Sequence, residues 1–86
     1  MASSSLLIKA SAAKELEATA KKERTRLAAR IGGLAVTPRP PGSEELSGEE
    51  KYRIRQGDYR ILYLIEDASA TVTIVKIGHR REVYRN

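Results

Sequence analysis

Apolar side chains recur with two different spacings along the chain, and each spacing predicts one type of element. Leu6, Leu7 and Ile8 form a short apolar run that predicts a first strand. Over residues 12–35 the apolar positions lie three and four residues apart, which is the spacing of one buried helical face. We expect two helices with a break at residues 20–23. One bent helix has the same pattern, because no glycine or proline marks the break.

Individual residues refine this helical region. Ser11 is suited to cap the first helix, because its hydroxyl can accept a free backbone N–H. Glu15 then falls early in the helix, where the helix dipole favours an acid. Gly32 and Gly33 each cost about 1 kcal/mol of helix stability relative to alanine. The glycine pair therefore predicts either a close approach of the helix to the sheet or a frayed helix end.

The second half of the chain alternates apolar and polar side chains, which is the period of half-buried strands. The alternation predicts strands over residues 52–56 and 59–65, joined by a tight turn at Gly57 and Asp58. A third strand over residues 71–77 is indicated by its β-branched side chains.

The remaining segments have the composition of connectors. All three prolines lie within residues 38–41, which predicts an ordered connector. Residues 43–50 are expected to form a polar loop that Leu46 anchors to the core. Residues 79–86 are expected to form a last strand or a tail.

Together these elements predict one α+β domain over residues 1–86, with residues 1–5 frayed. The expected order is βααβββ, with a further C-terminal strand as an open alternative. An antiparallel sheet would carry the helical hairpin on one face. No apolar run is long enough to span a membrane, and the N-terminus lacks the charged and apolar regions of a signal peptide. We therefore expect a cytoplasmic protein with no membrane partner.

The net charge of +5 is concentrated in the second half of the chain. Residues 1–50 contain eight Lys or Arg and seven Asp or Glu, whereas residues 51–86 contain eight and four. A positive field on one segment attracts a polyanion through counterion release. The distribution predicts a nucleic-acid partner, since a surface that only keeps a protein soluble usually mixes both signs.

The cationic side chains of this segment suit the cleavage of an RNA phosphodiester. When the 2′-hydroxyl of RNA attacks the adjacent phosphate, the reaction needs a base, cationic donors for the phosphorane oxygens and an acid for the leaving oxygen. Arginine suits the donor role because it binds phosphate oxygens bidentately and stays charged. The candidate donors are Arg53, Arg55, Arg60, Arg80 and Arg81. His79 can act as acid or base, and Tyr84 can act as base where neighbouring arginines lower its pKa.

Each candidate also has a simpler structural explanation. Arg53 and Arg55 alternate out of a strand and, taken alone, fit a solvent-exposed face. A single histidine such as His79 is more often structural than catalytic. Three tyrosines fall in phase with isoleucines and fit the core or its rim: Tyr52, Tyr59 and Tyr63. One histidine and no cysteine exclude the usual zinc sets, so neither a metal nor a cofactor is expected.

Two segments of the second half carry specific motifs. Residues 52–63 read Tyr-Arg-Ile-Arg-Gln-Gly-Asp-Tyr-Arg-Ile-Leu-Tyr, and residues 77–84 read Ile-Gly-His-Arg-Arg-Glu-Val-Tyr. With residues 9–16 and 37–42, they resemble the RelE/ParE toxin superfamily of bacterial toxin–antitoxin systems, and most of all its RelE branch. The resemblance implies a RelE-like microbial RNase fold. It also implies an mRNA interferase, a metal-independent endoribonuclease that cuts mRNA at the ribosomal A site and so inhibits translation.

The resemblance also implies roles for single residues. Arg60 and Arg80 match phosphate-binding catalytic residues, and Tyr84 matches a general base or a residue that stacks on the substrate base. Arg53 and Arg55 match a basic pair that touches RNA; Arg81 is the neighbour of Arg80 and is expected to bind RNA as well. His79 matches a position that is histidine in many members, with a role that varies.

The implied partner is a RelB-like antitoxin, whose extended C-terminal segment wraps and blocks the toxin. Operator DNA is expected to bind only through that complex. The net charge of +5 predicts that the antitoxin segment is acidic and largely disordered. Two alternatives share the fold: a ParE-like inhibitor of DNA gyrase, and an inactive member that binds only an antitoxin or operator DNA.

Overall fold

The computed structural model describes residues 4–46 and 50–79, which form one five-stranded sheet and two helices. In chain order the elements are β1 (Ser5–Ile8), α1 (Ala10–Glu17), α2 (Lys21–Val36), β2 (Glu44–Leu46), β3 (Lys51–Gln56), β4 (Tyr59–Glu66) and β5 (Thr71–His79). Of the strand or tail predicted over residues 79–86, His79 belongs to β5, and residues 80–86 lie outside the described residues, as do residues 1–3. Ser4 and Ser5 are not frayed, because their backbone N–H groups donate to Ala35 and Ala70 at 2.8 and 2.7 Å.

The predicted helical hairpin is confirmed, and its break lies at residues 18–20, slightly earlier than expected. The Thr19 hydroxyl donates to the carbonyl of Leu16 at 2.7 Å, and the Arg24 guanidinium donates to that of Glu17 at 3.2 Å. These contacts satisfy carbonyls that a continuing helix would have paired. A threonine and an arginine therefore end α1, where the sequence holds neither glycine nor proline.

Two expectations about the helix ends are wrong. Ser11 does not cap α1, because the helix begins at Ala10 after an extended Lys9, and no side chain caps it. Gly32 and Gly33 do not allow a close approach to the sheet, because a Cβ added at either would meet nothing within 4 Å. Both glycines are exposed, and α2 continues past them to its last residue, Val36.

The strands are ordered β1-β5-β4-β3-β2 across the sheet. Strands β1 and β5 are parallel, and all other neighbouring strands are antiparallel. A parallel pair needs a long connection, and the chain between β1 and β5 includes both helices. The segment predicted as a polar loop contains β2, which pairs with β3 at the far edge. Leu46 lies in this strand and is half-buried.

One face of the sheet is packed against the helices and holds the hydrophobic core. The buried side chains are Ala12, Leu27, Ile31, Leu34, Tyr52, Ile54, Ile61, Tyr63, Ile65, Val72, Ile74 and Ile77. The last two lie three residues apart in β5 because the pairing with β4 shifts at Leu62 and Tyr63, which leaves Val75 as the extra residue of a β-bulge. Because of this extra residue, the side chain of Ile77 points into the core. Within residues 4–46 and 50–79, no helix has the length and apolar character needed to cross a membrane.

Candidate functional site

The predicted RNA-binding residue Arg55 and the predicted catalytic residue Arg60 lie side by side on the sheet face opposite the helices. Arg55 on β3 pairs directly with Arg60 on β4, beside the tight turn at Gly57 and Asp58. Their neighbours Ile54 and Ile61 point into the core, so alternation directs both arginines to the other face. Arg55 is exposed and Arg60 is half-buried. The Arg60 guanidinium donates to the Tyr59 carbonyl at 3.5 Å, and within the described chain neither arginine forms an ion pair.

Arg53 lies on the same face but has an internal carboxylate partner. It is paired in register with Glu44 of β2, and the two side chains form an ion pair. The Arg53 side chain is 27% exposed, whereas that of Glu44 is 62% exposed. A partly solvated pair of this kind leaves the local net charge near zero. The positive charge of this face is therefore greatest at Arg55 and Arg60.

His79 lies on the helix-facing side of the sheet. It is paired with Tyr59 across β4 and β5, and the two rings meet edge to face with centroids 5.8 Å apart. Both rings line a recess of about 390 Å³ that is closed on its other side by Thr19 and Glu15. Since Arg60 points to the opposite face, the structure does not bring His79 together with it. The ring of His79 packs against that of Tyr59, and its catalytic role stays a prediction.

Three further predicted site residues, Arg80, Arg81 and Tyr84, lie outside the described residues. Arg80 directly follows His79 in the chain. Their catalytic and RNA-binding roles stay predictions. In the described ranges, no three His, Asp or Glu side chains lie together in a group that could hold a metal ion.

The tyrosines have the core positions that their phase with the isoleucines predicts. Tyr52 and Tyr63 are buried and stack with centroids 5.7 Å apart and an angle of 24°. The Tyr63 hydroxyl donates to the carbonyl of Pro38 at 2.8 Å, which ties the proline connector to the sheet. Burial raises the pKa of Tyr63, so this phenol stays neutral and is not a candidate base.

Arg39 of the connector is a structural residue that the sequence did not reveal. Its guanidinium lies 5.1 Å from the ring centroid of Tyr52, donates to the Tyr52 hydroxyl at 2.9 Å, and forms a bidentate pair with Asp67 at 3.0 and 3.2 Å. The Asp67 carboxylate and the Tyr52 hydroxyl raise the pKa of Arg39, and Arg39 lowers the pKa of Asp67. The arginine thereby joins the connector to the β4–β5 turn.

Glu15 is a second residue whose role sequence reasoning missed. The sequence placed it as an acid near the start of the helix, but it lies in the last turn of α1 and reaches β5. Its two oxygens accept the backbone N–H of Ile77 and the ammonium of Lys76, both at 2.9 Å. Helical phase predicts only that Glu15 lies near the buried side of α1. It does not name a partner that is 61 or 62 positions further along the chain.

Comparison with known proteins identifies the family to which this chain belongs. The family model of the ParE toxin of type II toxin–antitoxin systems matches residues 6–84. Toxin RelG of Mycobacterium tuberculosis is 42% identical over 45 residues, a match that covers 52% of this chain and 49% of that relative.

Solved structures show the same fold over almost the whole chain. The toxin–antitoxin complex RelBE2 of M. tuberculosis matches with a TM-score of 0.80 and 25% identity, over 95% of this chain and 97% of that one. The archaeal RelE–RelB complex of Pyrococcus horikoshii matches with a TM-score of 0.80 and 24% identity, over 94% and 99%. The α+β fold of RelE type predicted from the sequence is thereby confirmed. The chain belongs to the ParE toxin family of type II toxin–antitoxin systems, within the RelE/ParE superfamily.

Proposed function

We propose that this toxin is a ribosome-dependent endoribonuclease that cuts mRNA without a metal ion. The observation that carries the proposal is the direct pairing of Arg55 with Arg60 on the uncovered face of the sheet. Like charges directly opposite each other destabilise a sheet, and no described carboxylate neutralises this pair. An anion bound between the two guanidiniums would remove the repulsion, and the phosphate of an RNA backbone has the required charge and geometry.

The proposed reaction uses the nucleophile that RNA itself supplies. The 2′-oxygen loses its proton and bonds to phosphorus, and the bond from phosphorus to the 5′-oxygen of the next nucleotide breaks. The leaving 5′-oxygen takes up a proton. Arg60 and Arg80 stabilise the charge on the non-bridging oxygens, while Arg53, Arg55 and Arg81 hold the flanking RNA. The proposal relies on Tyr84 as the base, because the ring of His79 lies on the other face of the sheet from Arg60.

Primer extension on mRNA from a translating extract tests the site assignment. We expect the parent protein to cut within codons and Arg60→Ala to lower the cleavage rate by about 100-fold or more, which is typical for loss of one donor to a developing oxyanion. Arg26→Ala is the matched control, because it removes an exposed arginine from α2. Cleavage by Arg60→Ala at the parent rate, with Arg26→Ala behaving in the same way, would refute the role of Arg60.

The antitoxin partner is also part of the proposal. The matched structure from M. tuberculosis is a toxin–antitoxin complex, and that from P. horikoshii is a RelE–RelB complex. For this chain we expect a RelB-like antitoxin with an acidic segment that covers Arg55 and Arg60, since the net charge is +5 and these arginines form no described ion pair. Binding of operator DNA would then require the complex. A co-purified partner with a strongly basic contact surface would contradict this.

A ParE-like gyrase inhibitor is the second candidate, and the family model that matches residues 6–84 favours it. Supercoiling by purified gyrase separates the two candidates, because a gyrase inhibitor would block supercoiling and leave mRNA intact. An inactive member that binds only an antitoxin or operator DNA would leave growth unchanged when expressed alone. Growth arrest together with new mRNA ends is the result expected for the endoribonuclease.

A further inference from the structure

The end of β5 is held by a side chain instead of a neighbouring strand. Parallel pairing between β1 and β5 ends at Ile8 and Ile74, and the last backbone contact there is from the N–H of Lys9 to the carbonyl of Ile74, at 3.0 Å. Beyond this point β5 continues as far as His79 with β4 on one side only. The edge that β1 would have covered is closed by α1.

Glu15 supplies the contact that the missing strand would have made. One carboxylate oxygen accepts the N–H of Ile77 at 2.9 Å, and the other accepts the Lys76 ammonium at the same distance. Ile77 is buried, so its N–H needs a partner within the protein. This contact comes directly after the β-bulge at Val75, where the ladder with β4 is irregular.

The segment held in this way is the part of β5 that borders the proposed site. Gly78 pairs with Arg60, and His79 pairs with Tyr59, whose carbonyl accepts from the Arg60 guanidinium. Arg80 is the next residue in the chain after His79. A shift of β5 after the bulge would therefore change the surroundings of Arg60 and the point from which the C-terminal basic segment starts.

We propose that Glu15 is a positioning residue for RNA cleavage, because its carboxylate fixes the end of β5 next to Arg60. The inference rests on the endoribonuclease function proposed above. Glu15 itself lies on the helix side and does not touch RNA. The backbone contact to Ile77 sets the strand position, and the ion pair with Lys76 has a secondary role, since both side chains are about one-third exposed, at 32% and 38%.

Two conservative variants separate the backbone contact from the ion pair. Glu15→Gln keeps the side-chain length and a carbonyl acceptor for the N–H of Ile77, but loses the charge that pairs with Lys76. Glu15→Asp keeps the charge and shortens the side chain by one methylene. Both are small changes on a helix, so both variants should fold.

In a reconstituted translation system, we expect Glu15→Asp to lower kcat about tenfold with KM within about twofold, because catalysis is sensitive to displacements of an ångström or less. Glu15→Gln should keep kcat within about threefold of the parent value. The reverse order, with Gln defective and Asp active, would assign the effect to the ion pair and overturn the proposal. Equal activity of all three proteins would also overturn it.

Glu17 gives the matched control, because it lies on the same helix, is exposed and makes no described side-chain contact. Glu17→Asp and Glu17→Gln should leave kcat unchanged. If the Glu17 variants lose as much activity as their Glu15 counterparts, the effect comes from the charge or stability of α1 and not from the contact with Ile77.

Amide hydrogen exchange tests the contact between Glu15 and Ile77 without depending on RNA cleavage. The N–H of Ile77 should exchange at least about tenfold faster in Glu15→Asp than in the parent, while Glu15→Gln and the Glu17 variants keep its protection. Unchanged exchange in Glu15→Asp would show that β5 does not depend on Glu15. If exchange rises as expected but the parent cuts no RNA, the contact between Glu15 and Ile77 stands, whereas the proposed function and the positioning role of Glu15 in cleavage both fail.

Discussion

A single arginine of the connector organises the end of the sheet farthest from the tight turn. Arg39 contacts the face and the hydroxyl of Tyr52 and also holds the Asp67 carboxylate, so one side chain links three segments of the chain. Its planar guanidinium can make a stacking contact and a bidentate contact at once, which a lysine cannot. The sequence marked this region only as proline-rich. The role of Arg39 depends on Asp67, which lies 28 positions away.

Asp67 provides a test of this contact through the pH dependence of stability. Because Arg39 lowers the pKa of Asp67 in the folded state, the pair stabilises the protein above the ordinary pKa of an aspartate, about 3.9, and the stabilisation is lost as the pH falls through the lower, folded value. Asp67→Asn should therefore have a lower midpoint of urea unfolding than the parent at pH 7. The difference between the two midpoints should become smaller as the pH falls from about 4 to about 2. Salt should reduce the effect at pH 7, because both side chains are largely exposed.

Asp58→Asn is the control for this titration. It removes the same charge from another exposed turn, and Asp58 forms no ion pair with any described residue. An equal pH dependence for both variants would show that the loss of stability at low pH comes from the net charge and not from the contact with Arg39.

Glycine has different roles in the tight turn and in α2. Gly57 lies in the tight turn between β3 and β4 with a φ of +60°, a conformation that other residues adopt only with strain. Gly32 and Gly33 lie in α2 with open space around them, so no feature of the described chain requires their lack of a side chain. The same residue type is therefore needed in the turn and unfavourable in the helix.

Alanine substitution should reveal the difference. Gly32→Ala and Gly33→Ala should each raise the free energy of unfolding by about 0.5–1 kcal/mol, because alanine restricts the unfolded chain and favours the helix. Gly57→Ala should lower it, since its backbone conformation is strained for any residue with a Cβ. Urea unfolding at one pH measures all three. Destabilisation by Gly33→Ala would mean that another group approaches α2 at this position.

Charged side chains and apolar packing lie on different faces of the one sheet. The helix-facing side carries the core, and the opposite side carries Arg53, Arg55 and Arg60. Glu44 of β2 compensates Arg53, so the uncompensated charge is concentrated near the tight turn. A polyanion that binds there would touch few acidic side chains, which favours a fast and salt-sensitive association.

The salt dependence of RNA binding tests this distribution. An RNA with a 2′-deoxy group at the cleavage position should bind with an affinity that falls linearly in log–log form as salt rises. Arg55→Ala should reduce the magnitude of the slope by about 0.7, the value for one phosphate contact to a single strand. Arg26→Ala on α2 should leave the slope unchanged. Equal slopes for parent and Arg55→Ala, measured by fluorescence anisotropy, would place the RNA elsewhere.

Elements whose residue pattern is local could be predicted before the fold was known. The alternation that fixes β3 and β4 follows from strands buried on one face only, and the helical spacing of Leu27, Ile31 and Leu34 follows from one buried stripe. The two specific motifs were sufficient to indicate the toxin superfamily, which the family model confirms. Arg55 and Arg60 could be expected to be neighbours, because a tight turn fixes the register of a hairpin.

Contacts between distant segments could not be predicted in this way, because they depend on the folded arrangement of the chain. Strand β2 has three residues, too few to show a period, and it forms because its backbone pairs with β3. The bulge at Val75 depends on how β5 is registered against β4, and the anchoring of Ile77 by Glu15 depends on where β1 stops. Such contacts form when helices and strands pack together, and the spacing of residues along the chain does not predict them.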